Sequence, residues 1–384
     1  MAEGHRRPAW VEIDQQAMRS NASAMTELAG DAMLCAVVKA DGYGHGAVAS
    51  AKSFLSGGAS WLAVALVEEG IELRRAGIDA PILLLSEPAS SGMEEAVVHR
   101  LTPTLYTNEG LAGLERAAKL LGDGRTKVNV HLKVDTGMHR VGASPDLLGG
   151  LAEQIASSPA LALGGLWTHL AIADVPQDPY TGRQLELFDQ VRRNLGDSAS
   201  GAIIHAANSA ATISNPDSRY SMVRCGLSLY GYSPIKSRRE QVGESARPAL
   251  IPALSLKAQV SYVREIASGE RVSYGLAYQA DQPTVIATVP LGYADGVPRR
   301  AGTSGGEVLI GGRRSKIAGN VTMDQMLVDC GPNAKVLPGD EVVLIGRQGT
   351  ESITADNWAN WLGVIVYEVL CGIGPRVPRI SIHG

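Results

Sequence analysis

A (β/α)8 TIM barrel followed by a mostly-β C-terminal domain is the fold class this sequence predicts, on three observations. Eight short apolar runs recur between residues 34 and 230, most of them separated by helical patterns. Over roughly 200 residues, that is the count and size of such a barrel. From about residue 241 the rhythm changes to short alternating runs punctuated by Gly and Pro. Polar residues also collect where the early runs end, and the C-terminal ends of barrel strands are where catalytic groups sit. A doubly wound open sheet is the alternative, but no G-x-G-x-x-G fingerprint follows the first run.

Taken in order, Trp10-Val11-Glu12-Ile13-Asp14 alternates and starts a strand, with Asp14 placed to cap a helix over Gln15–Leu28. The barrel runs are Leu34–Lys39, Trp61–Leu66, Ile82–Leu85, Leu101–Tyr106, Val128–Asp135, Leu161–Leu170, Ala202–Asn208 and Met222–Tyr230. Helical patterns lie at Glu68–Ala76, Glu109–Leu121, Pro145–Ser157 and Gly182–Leu195. The barrel is expected over 10–240 and the β domain over 241–384, with residues 1–9 available to join the latter. Its strands are read at Leu254–Val263, Thr284–Pro290, Glu307–Ile310, Met326–Asp329 and Glu341–Ile345, with one helix near Ala355–Leu362. The charged linker Ser233–Pro252, with Lys236, Arg238, Arg239, Glu240 and Glu244, reads as solvent-exposed.

Composition narrows the function. A net charge of −4 points to neither nucleic acid nor an anionic membrane surface. No run approaches the roughly 18 apolar residues of a membrane helix, and the charged Met1–Arg7 is not followed by a signal-peptide core. The four cysteines (Cys35, Cys225, Cys330 and Cys371) are scattered without C-x-x-C spacing, so no metal site is expected and the thiols fit a reducing cytoplasm.

Two stretches carry chemistry by residue type alone. Leu34–Val38 reads as a buried strand that runs into Lys39, followed by Gly42, Gly44 and Gly46 around Tyr43. Lys39 either snorkels to water or serves as a desolvated amine nucleophile of the Schiff-base kind. In the fifth run, Val128, Val130, Leu132 and Val134 alternate with Lys127, Asn129, His131, Lys133 and Asp135. A closed barrel has no edges, so that polar set must face the interior or the mouth, and a buried Lys133 needs a partner.

Ala36-Val37-Val38-Lys39-Ala40 with Tyr43-Gly44-His45-Gly46 resembles the cofactor-lysine motif of the alanine racemases, the pyridoxal-phosphate (PLP) enzymes of fold type III. Similar to the same family are His131-x-Lys133-Val134-Asp135-Thr136-Gly137-Met138-x-Arg140, His205-x-Ala207-Asn208-Ser209, Val223-Arg224-x-Gly226 and Val272-Ser273-Tyr274-Gly275. The likeness runs from Trp10 to Arg379. It implies a PLP-dependent racemase of alanine, a small-molecule amino-acid substrate, and a product, D-alanine, that feeds peptidoglycan precursors. Lys39 and Tyr274 are implied as its two catalytic bases. Tyr43, Arg140, His169, Asn208, Ser209, Arg224, Gly226, Leu227 and Tyr367 are implied around the cofactor. Arg140, Tyr293 and Met323 are implied at the substrate. Arg224 would meet the pyridine nitrogen, and Ser209 and Gly226 the phosphate, although Ser209 can equally be a helix N-cap. Tyr274, with a free pKa near 10, needs a neighbour, which the resemblance supplies as His169. Lys133 is either carbamylated beside Arg140, or unmodified and paired with Asp135 or chloride. The resemblance also implies a homodimer in which Tyr274, Tyr293 and Met323 reach the partner's Lys39 site. Two positions depart from the family pattern: Asn320 stands for an arginine and Thr322 for a cysteine in Gly319–Gln325. A broader racemase acting on serine, a fold-related decarboxylase and a non-enzymatic PLP-binding protein are the alternatives.

Overall fold

The computed structural model describes residues 7–121, 127–235 and 248–384. The charged linker residues Lys236 to Glu244 lie outside them. Two compact units are formed, one of Gln16–Gly42 and Gly46–Pro252, the other of Met1–Gln15, Tyr43–His45 and Ala253–Gly384.

The first strand, β1 (Ala9–Asp14), departs from the expected domain division. It belongs to the second unit, pairing antiparallel with β10 (Leu254–Gln259) and parallel with β20 (Arg379–Ile382). Period-two alternation buries Ala9, Val11 and Ile13 on one face, but that pattern specifies a buried face and not the sheet that covers it.

In the first unit the eight expected runs become β2 (Met33–Val37), β3 (Trp61–Val64), β4 (Ile82–Leu84), β5 (Thr104–Leu105), β6 (Val128–Lys133), β7 (Leu161–Trp167), β8 (Ile203–His205) and β9 (Met222–Cys225). All pair in parallel, in the orders β4-β3-β2-β9 and β5-β6-β7-β8. Parallel bridges Leu83↔Thr102 and Asn208↔Arg224 join these two sets at both seams and close the barrel. The strands are buried on both faces, as parallel strands under helices must be. Helices pack outside on periodic apolar faces; Pro145–Ser157 buries Leu148, Leu151, Ala152 and Ile155, spaced three and four apart.

The second unit is built on a sheet that is antiparallel apart from the β1–β20 pair. Its further strands are β11 (Tyr262–Ile266), β14 (Thr284–Val289), β15 (Glu307–Ile310), β16 (Arg313–Ile317), β17 (Met326–Asp329), β18 (Glu341–Gln348) and β19 (Glu351–Ile353). The run read as Leu254–Val263 is split into β10 and β11. A separate hairpin, β12 (Arg271–Val272) with β13 (Tyr278–Gln279), carries Tyr274 at its turn. The helix Ala355–Leu362 forms as read, with Thr354 Oγ1 accepting from Asn357 N at 3.2 Å.

Inside the barrel, β6 and β7 come so close that a Cβ on Gly165 would stand 2.5 Å from the His131 ring. Gly165→Ala should therefore displace His131 and lower stability by about 1–3 kcal/mol through overpacking. The urea midpoint checks this; an unchanged midpoint would mean the strands can separate without cost.

Candidate active site

Lys39 lies two residues beyond β2, at the start of a backbone turn of the wrong hand. Ala40, Asp41, Gly42 and Tyr43 all have φ between 51° and 59°. Left-handed backbone disfavours L-residues, so this turn must be held. Asp41 Oδ1 accepts from Ala47 N at 2.8 Å, and Gly42 N donates to Val38 O at 2.9 Å. Glu69 accepts from Ala40 N at 2.6 Å while its other oxygen accepts from Ala65 N and Leu66 N at 2.8 and 3.0 Å. Glu69 was not found by sequence reasoning; it sits in a helical pattern like any surface carboxylate.

Arg224, on β9, is the buried centre of the barrel's polar interior. Nη1 donates to His205 Nδ1 at 2.9 Å, and Nη2 to Thr168 O, Ala206 O and His169 Nδ1 at 2.9, 3.0 and 3.3 Å. Its guanidinium also lies over Trp167, 4.5 Å from the ring centre. Burial pushes its pKa down from 12.5 to about 10, so it stays a cation at neutral pH. A guanidinium can only donate, and that fixes the tautomers around it. His205 Nδ1 accepts, so its Nε2–H donates to His131 Nδ1 at 2.9 Å. His131 then carries its proton on Nε2, which is buried without a partner among the described residues. His169 Nδ1 likewise accepts, leaving Nε2–H as a donor. The His205–His131 line was also missed from sequence: His131 was placed only in a polar set, and His205 only in a motif.

Lys133 is buried, with Nζ 4.3 Å from the Trp167 ring centre. Burial pushes its amine down from 10.5 to about 7; Arg224, Arg140 and Lys39 push the same way and Asp135 opposes. Of the alternatives open for Lys133, pairing with Asp135 is not formed among the described residues. That carboxylate instead accepts from Gly137 N and His139 N at 2.9 and 3.1 Å, shaping the loop that carries the exposed Arg140.

At the β8 and β9 ends the capping expectation is corrected. Asn208 is the N-cap, its Oδ1 accepting from Ala211 N at 3.0 Å, because it is the last residue with extended backbone. Ser209 is instead inside the helix, and its Oγ accepts from Gly226 N at 2.9 Å. Gly226 N–H is thus engaged by Ser209, while the Ser228 Oγ is buried without a partner among the described residues. Leu227 begins a short 3-10 turn there.

The remaining candidates lie in the β unit. Tyr43 and Tyr367 rings pack 5.8 Å apart, beside Gly44, whose added Cβ would stand 2.5 Å from Leu370 O. Tyr274, Tyr293 and Met323 are exposed, by 72%, 44% and 54%. Their loops adjoin: Tyr293 N donates to Thr322 O at 3.0 Å and Asn320 Nδ2 to Tyr274 O at 2.9 Å.

The barrel residues fit an anionic pyridine cofactor. Lys39, Lys133, Arg140 and Arg224 all act electrostatically on His169, so positive charge converges there. The Nε–H of Arg224 has no hydrogen-bond partner among the described residues, which leaves a donor for a ring nitrogen. A barrel that presents a lysine, a buried arginine and hydroxyl and amide donors at its strand ends is that of a PLP-binding protein.

The comparisons carry this further. A family model described as alanine racemase, N-terminal domain, matches residues 13–234, and one described as alanine racemase, C-terminal domain, matches residues 253–381. An alanine racemase of Symbiobacterium thermophilum is 44% identical over 97% of both chains, and one of Carboxydothermus hydrogenoformans 42% over 98% of this chain and 100% of its own. The alanine racemase structure from D-cycloserine-producing Streptomyces lavendulae superposes with a TM-score of 0.91 at 35% identity, over 99% of this chain and 98% of its own. That from Bacillus anthracis, with bound L-Ala-P, gives 0.89 at 36%, over 99% and 96%. The chain belongs to the alanine racemase family, PLP-dependent isomerases that interconvert L- and D-alanine. Neither the decarboxylase nor the carrier reading is favoured.

Burial first, and then Arg224, pushes His131 down from 6.5 to about 3; His205 and His169 are also held well below 6.5. Below pH 6.5 the unfolded chain binds more protons than the folded one, so stability falls as pH drops, for His131 from 6.5 down to about 3. Urea midpoints should decline across that window and decline less in His131→Gln. An equal slope in the variant would place the acid sensitivity elsewhere.

Proposed function

We propose that Lys39 and Tyr274 are the two bases of alanine racemisation, one on each face of the substrate Cα. The buried Arg224, hydrogen-bonded to His169 and lying with Lys133 against the Trp167 ring, carries this reading, because two such cations in one interior favour a bound anion, with the Lys39 amine just past β2. When bound, PLP supplies an aldehyde for amino groups and an electron-accepting ring that acidifies the Cα–H. Lys39 would hold it covalently, and its Nζ would move a proton at the substrate Cα. Arg224 Nε–H is assigned to the ring nitrogen. Ser209, Gly226 and Leu227, with Asn208 fixing their turn and Tyr43 and Tyr367 adding hydroxyls, are assigned to the phosphate. Arg140 takes the substrate carboxylate, for which its planar fork is suited. His169 Nε2–H steadies the Tyr274 oxygen when it carries charge.

Three exposed side chains on adjoining loops, Tyr274, Tyr293 and Met323, support a homodimer in which they complete the partner's site. Among the described residues no helix is long and apolar enough to cross a membrane, and we place the enzyme in the cytoplasm, where cysteine thiols stay reduced.

Lys133 is proposed to react with CO2, forming an N–C bond and releasing a proton to give a carbamate. An amine with a pKa of about 7 is substantially neutral and nucleophilic at physiological pH, and the product anion balances Arg140. Enzyme equilibrated with 13C-bicarbonate should show a carbamate carbonyl resonance that Lys133→Gln lacks. Its absence from the parent protein would leave Lys133 a plain amine.

Lys39→Ala and Tyr274→Phe should each be inactive, and Lys39→Ala should hold no borohydride-trappable PLP. Mixed in equal amounts, they should recover about a quarter of parent activity, since half the dimers are mixed and one site in each is intact. Subunits that exchange without any recovery would place both bases in one chain.

A further inference from the structure

Tyr274 stands at the tip of the β12–β13 hairpin with almost nothing holding its own side chain. The phenol is largely exposed and has no hydrogen-bond partner among the described residues. Its placement therefore depends on the backbone of Ser273-Tyr274-Gly275-Leu276, and that backbone is strained. Ser273 has φ 66° and ψ 175°, Gly275 φ 74° and Leu276 φ 50°. The conformation of Ser273 is one that essentially only glycine adopts freely, so something outside the turn must impose it.

That something is Asn320. Ser273 Oγ donates to the Asn320 carbonyl oxygen, and Asn320 Nδ2 donates back to the Tyr274 carbonyl oxygen at 2.9 Å. The two bonds bracket the Ser273–Tyr274 peptide. The approach is allowed by Gly319, at φ 76°, whose added Cβ would stand 3.4 Å from Ser273 Cβ and 3.3 Å from Tyr278 Cβ. The base of the hairpin is fixed separately: Tyr278 Oη donates to Asp329 at 2.6 Å, and Val272 and Tyr278 pack on Ile266, Ala280, Ile286 and Ala318. Rigid base and strained tip thus meet at Asn320, whose main-chain oxygen takes the Ser273 bond and whose side-chain amide makes the Tyr274 bond. Asn320 is also one of the two positions at which this chain departs from the family pattern.

We propose that Asn320, with Ser273, is a positioning residue that holds Tyr274 at its working place, so that the asparagine affects only the half of the reaction in which the tyrosine moves the proton. This rests on the reading of Tyr274 as a base. The test uses holoenzyme in D2O with each alanine enantiomer, following racemisation and Cα-hydrogen exchange separately. An enzyme with Lys39 intact and Tyr274 misplaced should still exchange the Cα hydrogen of one enantiomer while converting it poorly.

Tyr274→Phe is the control and should show that split. Asn320→Ala and the isosteric Asn320→Asp, which keeps the shape but loses the donor, should show it too. In both, kcat should fall roughly tenfold to a hundredfold, with KM and the bound-PLP absorbance unchanged. Ser273→Gly, which relieves the strained φ and removes the other bond, should lower kcat in the same way without lowering the thermal midpoint. If Tyr274→Phe shows the split and the Asn320 variants racemise normally, or lose exchange together with racemisation, the positioning role is wrong and the reading of Tyr274 stands. If Tyr274→Phe itself shows no split, the reading of the base fails and this inference fails with it.

Discussion

Arg224 is a cation sealed inside the barrel whose near neighbours are carbonyl oxygens, imidazoles and the face of Trp167, with no carboxylate in an ion pair to it among the described residues. A buried charge without a counter-charge is costly, and much of the site follows from meeting that cost. The guanidinium sets the tautomer of every histidine it touches, because it never accepts. Burial, and after it the opposition of the guanidinium to a second positive charge in the same interior, keeps His169, His205 and His131 neutral. Through space the guanidinium also depresses the Lys133 amine. The field that destabilises these protons would stabilise an anion, so the same residues that burden the fold favour a phosphate, a carboxylate or a carbamate.

Strain is the second theme, and it falls at both proposed bases. The turn after Lys39 places three non-glycine residues, Ala40, Asp41 and Tyr43, in left-handed backbone, at about 1–2 kcal/mol each. Hydrogen bonds to charged groups contribute about 1.5–3 kcal/mol each, so the carboxylates of Glu69 and Asp41 can offset most of it. At Tyr274 the strain is of the same kind, but neutral hydroxyl and amide groups answer it. A tight turn of this hand makes the backbone reverse within a few residues. It therefore presents a side chain from a strand end without a long mobile loop.

Much of this was legible in the sequence, for identifiable reasons. The eight barrel runs and the helix Pro145–Ser157 were readable because short apolar runs recur between turn residues, even where polar side chains alternate along β6, and a helix repeats its apolar face every three or four residues. β1 was read correctly as a strand but assigned to the wrong unit, since alternation carries no information about its partner. The cap fell to Asn208 and not to Ser209 because either residue type can cap a helix, and only the backbone angle of Asn208 decides. Lys133 was marked as needing a partner, but a π-face is not a residue type that charge pairing would suggest. Glu69 and the histidine line could not be read at all: each depends on contacts between residues tens of positions apart, with no period or spacing to reveal them.

If Arg224 meets the ring nitrogen as proposed, the choice of arginine has a chemical consequence that fits the rest of the site. A carboxylate in that place would share a proton with the nitrogen and make the ring a deep electron sink, able to stabilise many outcomes after Cα loses its proton. Arg224 remains a cation at neutral pH and is tied to two main-chain carbonyls and two imidazoles, so it has no proton to give away. A ring so held would withdraw electrons less, which would suit a site whose own residues, Lys39 and Tyr274 as proposed, carry the proton on each face. Racemisation asks for nothing more than that. A weak sink and two well-placed proton carriers are thus complementary requirements, and loosening the grip on either carrier would expose the weakness of the sink.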